Sequence, residues 1–172
     1  MSLKIIHTAD WHLGQTFFGY DRDEEHEAFL SWLIDILTLR QTDVLLIAGD
    51  VFDVANPSAA AQRRFFRFLR EANRHNPQLQ IVIIAGNHDS AARLEAPIPL
   101  LEELNTSIVG AVPRTDLCKI DFDSLLIPLY NKEGKREAIC LAVPYLRQGD
   151  YPASKEGKDT YVEGVTRMYR QL

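Results

Sequence analysis

The chain has 172 residues, 46% hydrophobic and 25% charged, which is the composition of one globular domain and excludes disordered, collagen-like and coiled-coil chains. Its net charge of −5 gives no bulk basic signal for nucleic acid, so DNA binding would need a local basic patch. Two cysteines in unrelated contexts, Cys118 and Cys140, exclude a disulfide framework, no apolar run reaches the ~18–20 residues of a membrane helix, and the Met-Ser-Leu-Lys start has no secretory pattern; a soluble cytoplasmic protein with no membrane role is expected.

The first 90 residues alternate strand and helix patterns. Leu3 to Thr8 is short and apolar and predicts a buried strand. From Asp23 to Arg40, Phe29, Leu30, Leu33, Ile36 and Leu37 recur at helical spacing, with acidic residues in the first turns where the helix dipole favours them. Val44 to Ala48 is a continuous apolar run ending at Gly49, which predicts a parallel strand buried on both faces. A second helix is predicted over Ser58 to Arg74, with Ala61, Phe65, Phe68, Leu69 and Ala72 inward and Arg63, Arg67, Arg70 and Arg74 on the opposite side. Ile81 to Ala85 is a third buried strand, ending at Gly86. This succession predicts an α/β fold with a parallel sheet and right-handed crossovers.

A helix from about Ser90 to Leu104 should break near Pro97 and Pro99. Shorter strands are expected at Ser107–Val112, Cys118–Phe122, Ser124–Tyr130 and Ala138–Pro144, with a turn at Asn131–Gly134, in a mixed sheet continuing the first one. Gln148 to Lys158 reads as loop, and Asp159 to Leu172 as an amphipathic helix through Tyr161, Val165, Met168 and Leu172.

Three polar clusters each follow a buried strand: Asp10-Trp11-His12, Gly49-Asp50-Val51-Phe52-Asp53 and Gly86-Asn87-His88-Asp89. Parallel strands deliver their carboxyl ends to one edge, where ligands bind, so Asp10, His12, Asp50, Asn87 and His88 should share one rim. Gly49 and Gly86 would let the chain turn sharply as it leaves the sheet. Aspartates, an imidazole and an amide oxygen, without a thiolate, suit Mn²⁺, Mg²⁺ or Fe²⁺. Two such ions about 3.5–4 Å apart activate water and stabilise both oxygens of a displacement at phosphorus. Asp50, on the middle strand, is the bridging candidate. Singly, each cluster would signal only a turn or a helix start; three in this order are specific.

These motifs, in the contexts His7-Thr8-Ala9-Asp10-Trp11-His12-Leu13-Gly14, Ala48-Gly49-Asp50-Val51-Phe52-Asp53 and Ala85-Gly86-Asn87-His88-Asp89-Ser90, resemble the calcineurin-like metallophosphoesterases. Within them the chain is similar to the SbcD-type nuclease subunits, relatives of the Mre-type double-strand-break nucleases; Ala142 to Arg147 also resembles a strand-end segment of that branch. The resemblance implies that Asp10 and His12 ligate one metal, Asp50 bridges, Asn87 ligates the second and His88 stands beside the scissile phosphate. Asp53 and Asp89 would orient ligands. It further implies Mn²⁺-dependent cleavage of double-stranded DNA ends and of single-stranded or hairpin DNA, an SbcC-like ATPase partner, and a homodimer through the helices near 58–74 and 90–104. Phe66 on the first helix and Leu94, Ile98 and Leu101 on the second would be the contact surface.

The match stops short. Family members carry later Gly-His and Gly-His-x-His ligands, whereas His7, His12, His26, His75 and His88 are the five histidines here. Residues 1–172 therefore read as the N-terminal portion of a metallophosphoesterase nuclease domain, without cap or ATPase-binding regions and weakly active or inactive. Two alternatives stand beside this reading: an enzyme for a small phosphodiester or phosphoprotein, and a non-catalytic dimerisation or docking fragment. His7 is expected to be packed or to support a metal ligand from behind, His26 solvated, and the arginine stripe either a solvated face or a contact for DNA phosphates.

Overall fold

The computed structural model describes residues 2–101, 104–153 and 160–172. A four-stranded parallel sheet is built from β1 (Ile5–Thr8), β4 (Val44–Ala48), β5 (Gln80–Ile84) and β6 (Thr106–Val109), in the order β1-β4-β5-β6. Between β1 and β4 lie a tight hairpin, β2 (Thr16–Phe17) and β3 (Tyr20–Asp21), and helix α1 (Asp23–Leu39). Helix α2 (Ala59–His75) connects β4 to β5. Its start is set by Ser58, whose Oγ accepts from the Ala61 N–H at 3.1 Å.

Because side chains alternate along a strand, β4 and β5 supply two apolar faces. Leu45, Ile47, Ile81 and Ile83 pack under α1 and α2, against Leu33, Leu37, Phe65, Phe68 and Leu69. Trp11 joins this core, its ring edge-on to Phe29, Phe65 and Phe68 at centroid distances of 5.6, 6.3 and 5.1 Å. Val44 and Val82 face the other way, into a second core with Leu125, Leu129, Ala142 and Met168. That face is covered by the antiparallel hairpin β7 (Leu126–Tyr130) and β8 (Arg136–Leu141) and by α5 (Tyr161–Gln171). Gln80 pins the hairpin to β5, its Oε1 accepting from the Tyr130 N–H.

Four expectations need correction. Among the described residues β1 lies at the sheet's margin and pairs with β4 alone, and Ile5 and His7 are exposed; the β7–β8 hairpin covers the face they share with Val44 and Leu46 only further in. His7 is thus not packed. β7 and β8 form their own two-stranded sheet, because their apolar residues cover the first sheet instead of extending it. Cys118–Phe122 makes no strand: Cys118 adopts φ +56° in a turn closed by its N–H on the Thr115 carbonyl, and one bridge joins Arg114 to Ile120. The expected strand ends shift too: β6 ends at Val109, a 3-10 turn at Asp123–Leu125 precedes β7, and β8 runs from Arg136, with Pro144 beyond its end.

The helix expected from Ser90 is split at Pro97 into α3 (Ala91–Glu95) and α4 (Ile98–Leu101); residues 102 and 103 lie outside the described residues. The Asn131 turn forms as read, with Gly134 at φ +73° and Asn131 Oδ1 accepting from the Glu133 and Lys135 N–H groups. α5 begins at Tyr161 behind a Thr160–Glu163 capping box; its expected start at Asp159 and the end of the Gln148–Lys158 loop lie outside the described residues.

Candidate metal centre

Beyond the last paired residues of β1 and β4 the two chains stay in register. The Asp10 N–H donates to the Gly49 carbonyl (3.1 Å), His12 N–H to Asp50 (3.0 Å) and Leu13 N–H to Val51 (2.9 Å). This extension bends through left-handed backbone at Asp10 (φ +56°), His12 (φ +46°), Gly49 (φ +89°) and Asp50 (φ +49°). Three of these are not glycine, and each costs about 1 kcal/mol that the surrounding packing must supply. The bends turn three polar side chains to the same rim.

Gly86 serves this geometry by size and not by backbone freedom. A Cβ at that position would fall 2.0 Å from Asp50 Oδ1 and 2.4 Å from the Asp50 nitrogen. The expectation of a sharp glycine turn holds for Gly49; at Gly86 the demand is close approach.

The side chains of Asp10, His12 and Asp50 converge, one ligand atom from each lying within 4.8 Å of the others. His12 Nε2 is 3.9 Å from both Asp10 Oδ1 and Asp50 Oδ2. Asp50 is buried, while Asp10 is open to solvent. Two carboxylates and an imidazole around one point fit a divalent cation of the Mg²⁺ to Fe²⁺ class. Asn87, exposed after β5, lines the same cavity of about 400 Å³ as Asp10 and Asp50. The cavity's opposite wall is Val143–Leu146 and the α5 residues Tyr161, Val165 and Tyr169. The segment singled out at Ala142 to Arg147 is seated there by the Tyr145 N–H donating to the Ala85 carbonyl at 2.9 Å.

His88 completes the rim. Its N–H donates to Asp50 Oδ1 (2.9 Å), and its ring lies edge-on to His12 at 4.9 Å. Its Nδ1 is 2.6 Å from the Asp53 carbonyl, which can only accept, so Nδ1 carries hydrogen and Nε2 is the free nitrogen. That hydrogen bond, and the charges of Asp50, Asp53 and Asp89, raise the His88 pKa above the ordinary histidine value. Asp53 Oδ1 stands 3.2 Å from His12 Nδ1, out of line for a hydrogen bond, and groups with His12 and His88 as a second convergent set.

Asp89 is buried and accepts three backbone N–H groups: Gly86 (2.9 Å), Val51 (3.2 Å) and Phe52 (3.0 Å). It ties the loop after β5 to the loop after β4.

Several neighbouring residues differ from expectation. His26 is buried, 6% exposed, because the first turns of α1 fold back over the loop after β1; burial, then the nearby Arg22 and Arg64 charges, lower its pKa. Leu94 and Leu101 are buried in the core and so present no contact surface, whereas Ile98 and Phe66 are each half-buried and keep part of their surface open. Arg67 pairs with Glu27, and Arg70 and Arg74 with Glu71, so most of the arginine stripe is neutralised within the chain. Sequence reading missed Arg64, which is buried beside that stripe and bonded to Asp23 and Glu27 at 2.8 Å each. Its signal was available: position 64 falls on the inner arc with Ala61, Phe65 and Phe68.

A calcineurin-like phosphoesterase family model matches residues 3–157. The chain is 48% identical over 171 residues to the SbcD component of the SbcCD nuclease from Rhodobacter capsulatus, covering 99% of this chain and 42% of that protein. It is 34% identical over 175 residues to the same component from Escherichia coli K12 (98% and 41%), and 39% identical over 122 residues to the one from Bacillus subtilis (71% and 31%). The chain thus spans about two fifths, or less, of the length of these relatives.

Proposed function

The chain belongs to the calcineurin-like phosphoesterase family, and from that premise we propose that residues 1–172 are the N-terminal, metal-binding portion of a DNA nuclease subunit. The observation that carries this reading is the convergence of Asp10, His12 and Asp50 at the carboxyl edge of a parallel sheet. Asp10 and His12 would hold one ion, Asp50 would stand between two, and Asn87 would hold the second. Mn²⁺ suits this mixed oxygen and nitrogen set, with Mg²⁺ or Fe²⁺ as alternatives. A divalent ion bound here supplies Lewis acidity at a phosphoryl oxygen and a more acidic water.

His88 is the catalytic group of this chain. Nδ1 is held by the Asp53 carbonyl, and the surrounding carboxylates favour the imidazolium, so Nε2–H is available to bond a phosphoryl oxygen or protonate a leaving one. The Asp53 carbonyl holds the His88 imidazole, and Asp89 holds the two loops in place. The substrate is DNA, at double-stranded ends and at hairpins, and the partner is an SbcC-like ATPase; the similar proteins' description as a subunit of the SbcCD nuclease supports a nucleic-acid substrate and an SbcC partner. All five histidines of these 172 residues lie at or before position 88, so these residues alone supply each ion with few ligands, and on their own have little or no nuclease activity.

Mn²⁺ stoichiometry tests the site directly. One or two ions bound to the chain and lost in Asp50→Asn is the expected result. No binding at millimolar Mn²⁺ would remove the metal-centre reading from this chain.

A further inference from the structure

Asp10 lines two cavities. The second, of about 490 Å³, also opens on His12, and its far wall is Gln15, Arg22 and the first turns of α1, chiefly His26 and Phe29. Gln15 and Arg22 bracket the β2–β3 hairpin, so the pairing of Thr16 with Asp21 brings them together. Arg22 is the residue preceding α1 and makes no cap; its side chain turns back instead. Its Nη1 donates to Gln15 Oε1 at 2.7 Å, and its Nε lies 3.5 Å from Glu25 Oε2. The guanidinium is thereby held in one orientation, with Nη2 unpartnered among the described residues.

The charges select the ligand. Arg22 is the one arginine or lysine among the described residues that line this cavity, so it supplies a permanent positive charge there; burial, then the Arg22 and Arg64 charges, disfavour the charged form of His26. Asp10 and Glu25 line the same cavity, so a free anion is poorly favoured there. A phosphate on a strand already anchored at Asp10, His12 and Asp50 arrives at high effective concentration and needs no second association step. A guanidinium fixed at one edge suits such a phosphate, because its remaining N–H groups form a planar donor fork. Phe29 and the edge of Trp11 add an apolar wall for the intervening sugar.

Resting on the DNA reading above, we propose that Arg22 grips the phosphate adjoining the scissile one, so that this cavity positions a polynucleotide strand in preference to a small diester. Arg22 is a positioning residue; it acts by where it holds the strand.

The test is equilibrium binding of a fluorescein-labelled ten-nucleotide thymidine strand to the 172-residue chain in Mn²⁺, over a range of NaCl concentrations, with bis(4-nitrophenyl) phosphate as a one-phosphate competitor. Arg22→Gln is compared with Arg22→Lys, and far-UV circular dichroism checks folding. Arg22→Gln should weaken oligonucleotide binding about tenfold more than diester binding, and should flatten the slope of log affinity against log salt by roughly 0.7, one single-strand phosphate contact. Arg22→Lys should restore the slope but only part of the affinity. Wild-type binding of the oligonucleotide with an unchanged slope in Arg22→Gln would overturn the proposal. A wild-type chain that binds the diester and not the oligonucleotide would overturn the DNA reading, and this site with it.

Discussion

Gly86 and Asp50 touch so closely that no side chain fits between them: a single added carbon at 86 would lie 2.0 Å from the Asp50 carboxylate and 2.4 Å from its backbone nitrogen. Gly86→Ala must therefore move the backbone of one strand end. The expected loss is about 3 kcal/mol of stability, at the upper end of overpacking costs because the obstacle is partly main chain. Urea denaturation measures it, and Mn²⁺ affinity should fall at least tenfold alongside. A variant with wild-type stability would show that the two loops yield easily.

Asp89→Ala removes the acceptor of three backbone N–H groups, on Gly86, Val51 and Phe52. Hydrogen bonds to a charged acceptor contribute about 1.5–3 kcal/mol each, and donors left buried carry a desolvation cost. Relaxation recovers part, so a loss of about 3–4 kcal/mol is expected, with loss of metal binding even though no proposed ligand is touched. Thermal unfolding together with Mn²⁺ titration would decide; intact metal binding would mean that the loops stay joined without this carboxylate.

His26 makes the fold acid-sensitive. Its pKa is lowered in the folded chain, chiefly by burial, so the unfolded chain binds the proton more readily. The stability it contributes is complete above about pH 6.5 and is lost as pH falls below that ordinary value. His26→Gln should flatten the stability profile between pH 7 and pH 5 relative to wild type, as read by urea midpoints across that range. Parallel profiles would contradict the assignment.

Arg64 acts through carboxylates, at lower pH. Its hydrogen bond to Asp23 lowers that carboxyl's pKa; at Glu27 partial burial opposes the shift, but the Arg64 and Arg67 bonds prevail. The carboxylates are nearly half exposed and can rehydrate, so Arg64→Met should cost only about 1–2 kcal/mol. Folded pKa values below the unfolded ones place this stability above about pH 4–4.5. The gap between wild type and Arg64→Met should close as pH falls toward 3.

Much of this was legible in the sequence because parallel strands buried on both faces advertise themselves. Val44–Ala48 and Ile81–Ala85 are unbroken apolar runs, each ends in glycine, and the ligand types follow at once. Helices α1 and α2 were legible from their 3.6-residue spacing. β1 was misread because its apolar residues match those of an interior strand, and nothing local reports how many neighbours a strand has. The β7–β8 hairpin was misplaced for a related reason: alternating residues specify a covered face, not whether the hairpin extends a sheet or lies across it. His26 was read from its acidic sequence neighbours, whereas its environment is set by the loop after β1, distant in sequence and adjacent in space.

The position of β1 at the sheet's margin has a dynamic consequence. Among the described residues β1, like β6 at the other margin, is bonded on one side only, and its amides should exchange with solvent sooner than those of β4 or β5. Yet the segment that leaves this strand carries Asp10 and His12, while Asp50 and Asn87 follow the interior pair. The cation site therefore spans a margin of the sheet and its interior. Part of any ion's binding energy goes into keeping β1 seated, and an ion once bound is a clasp across the margin of the fold.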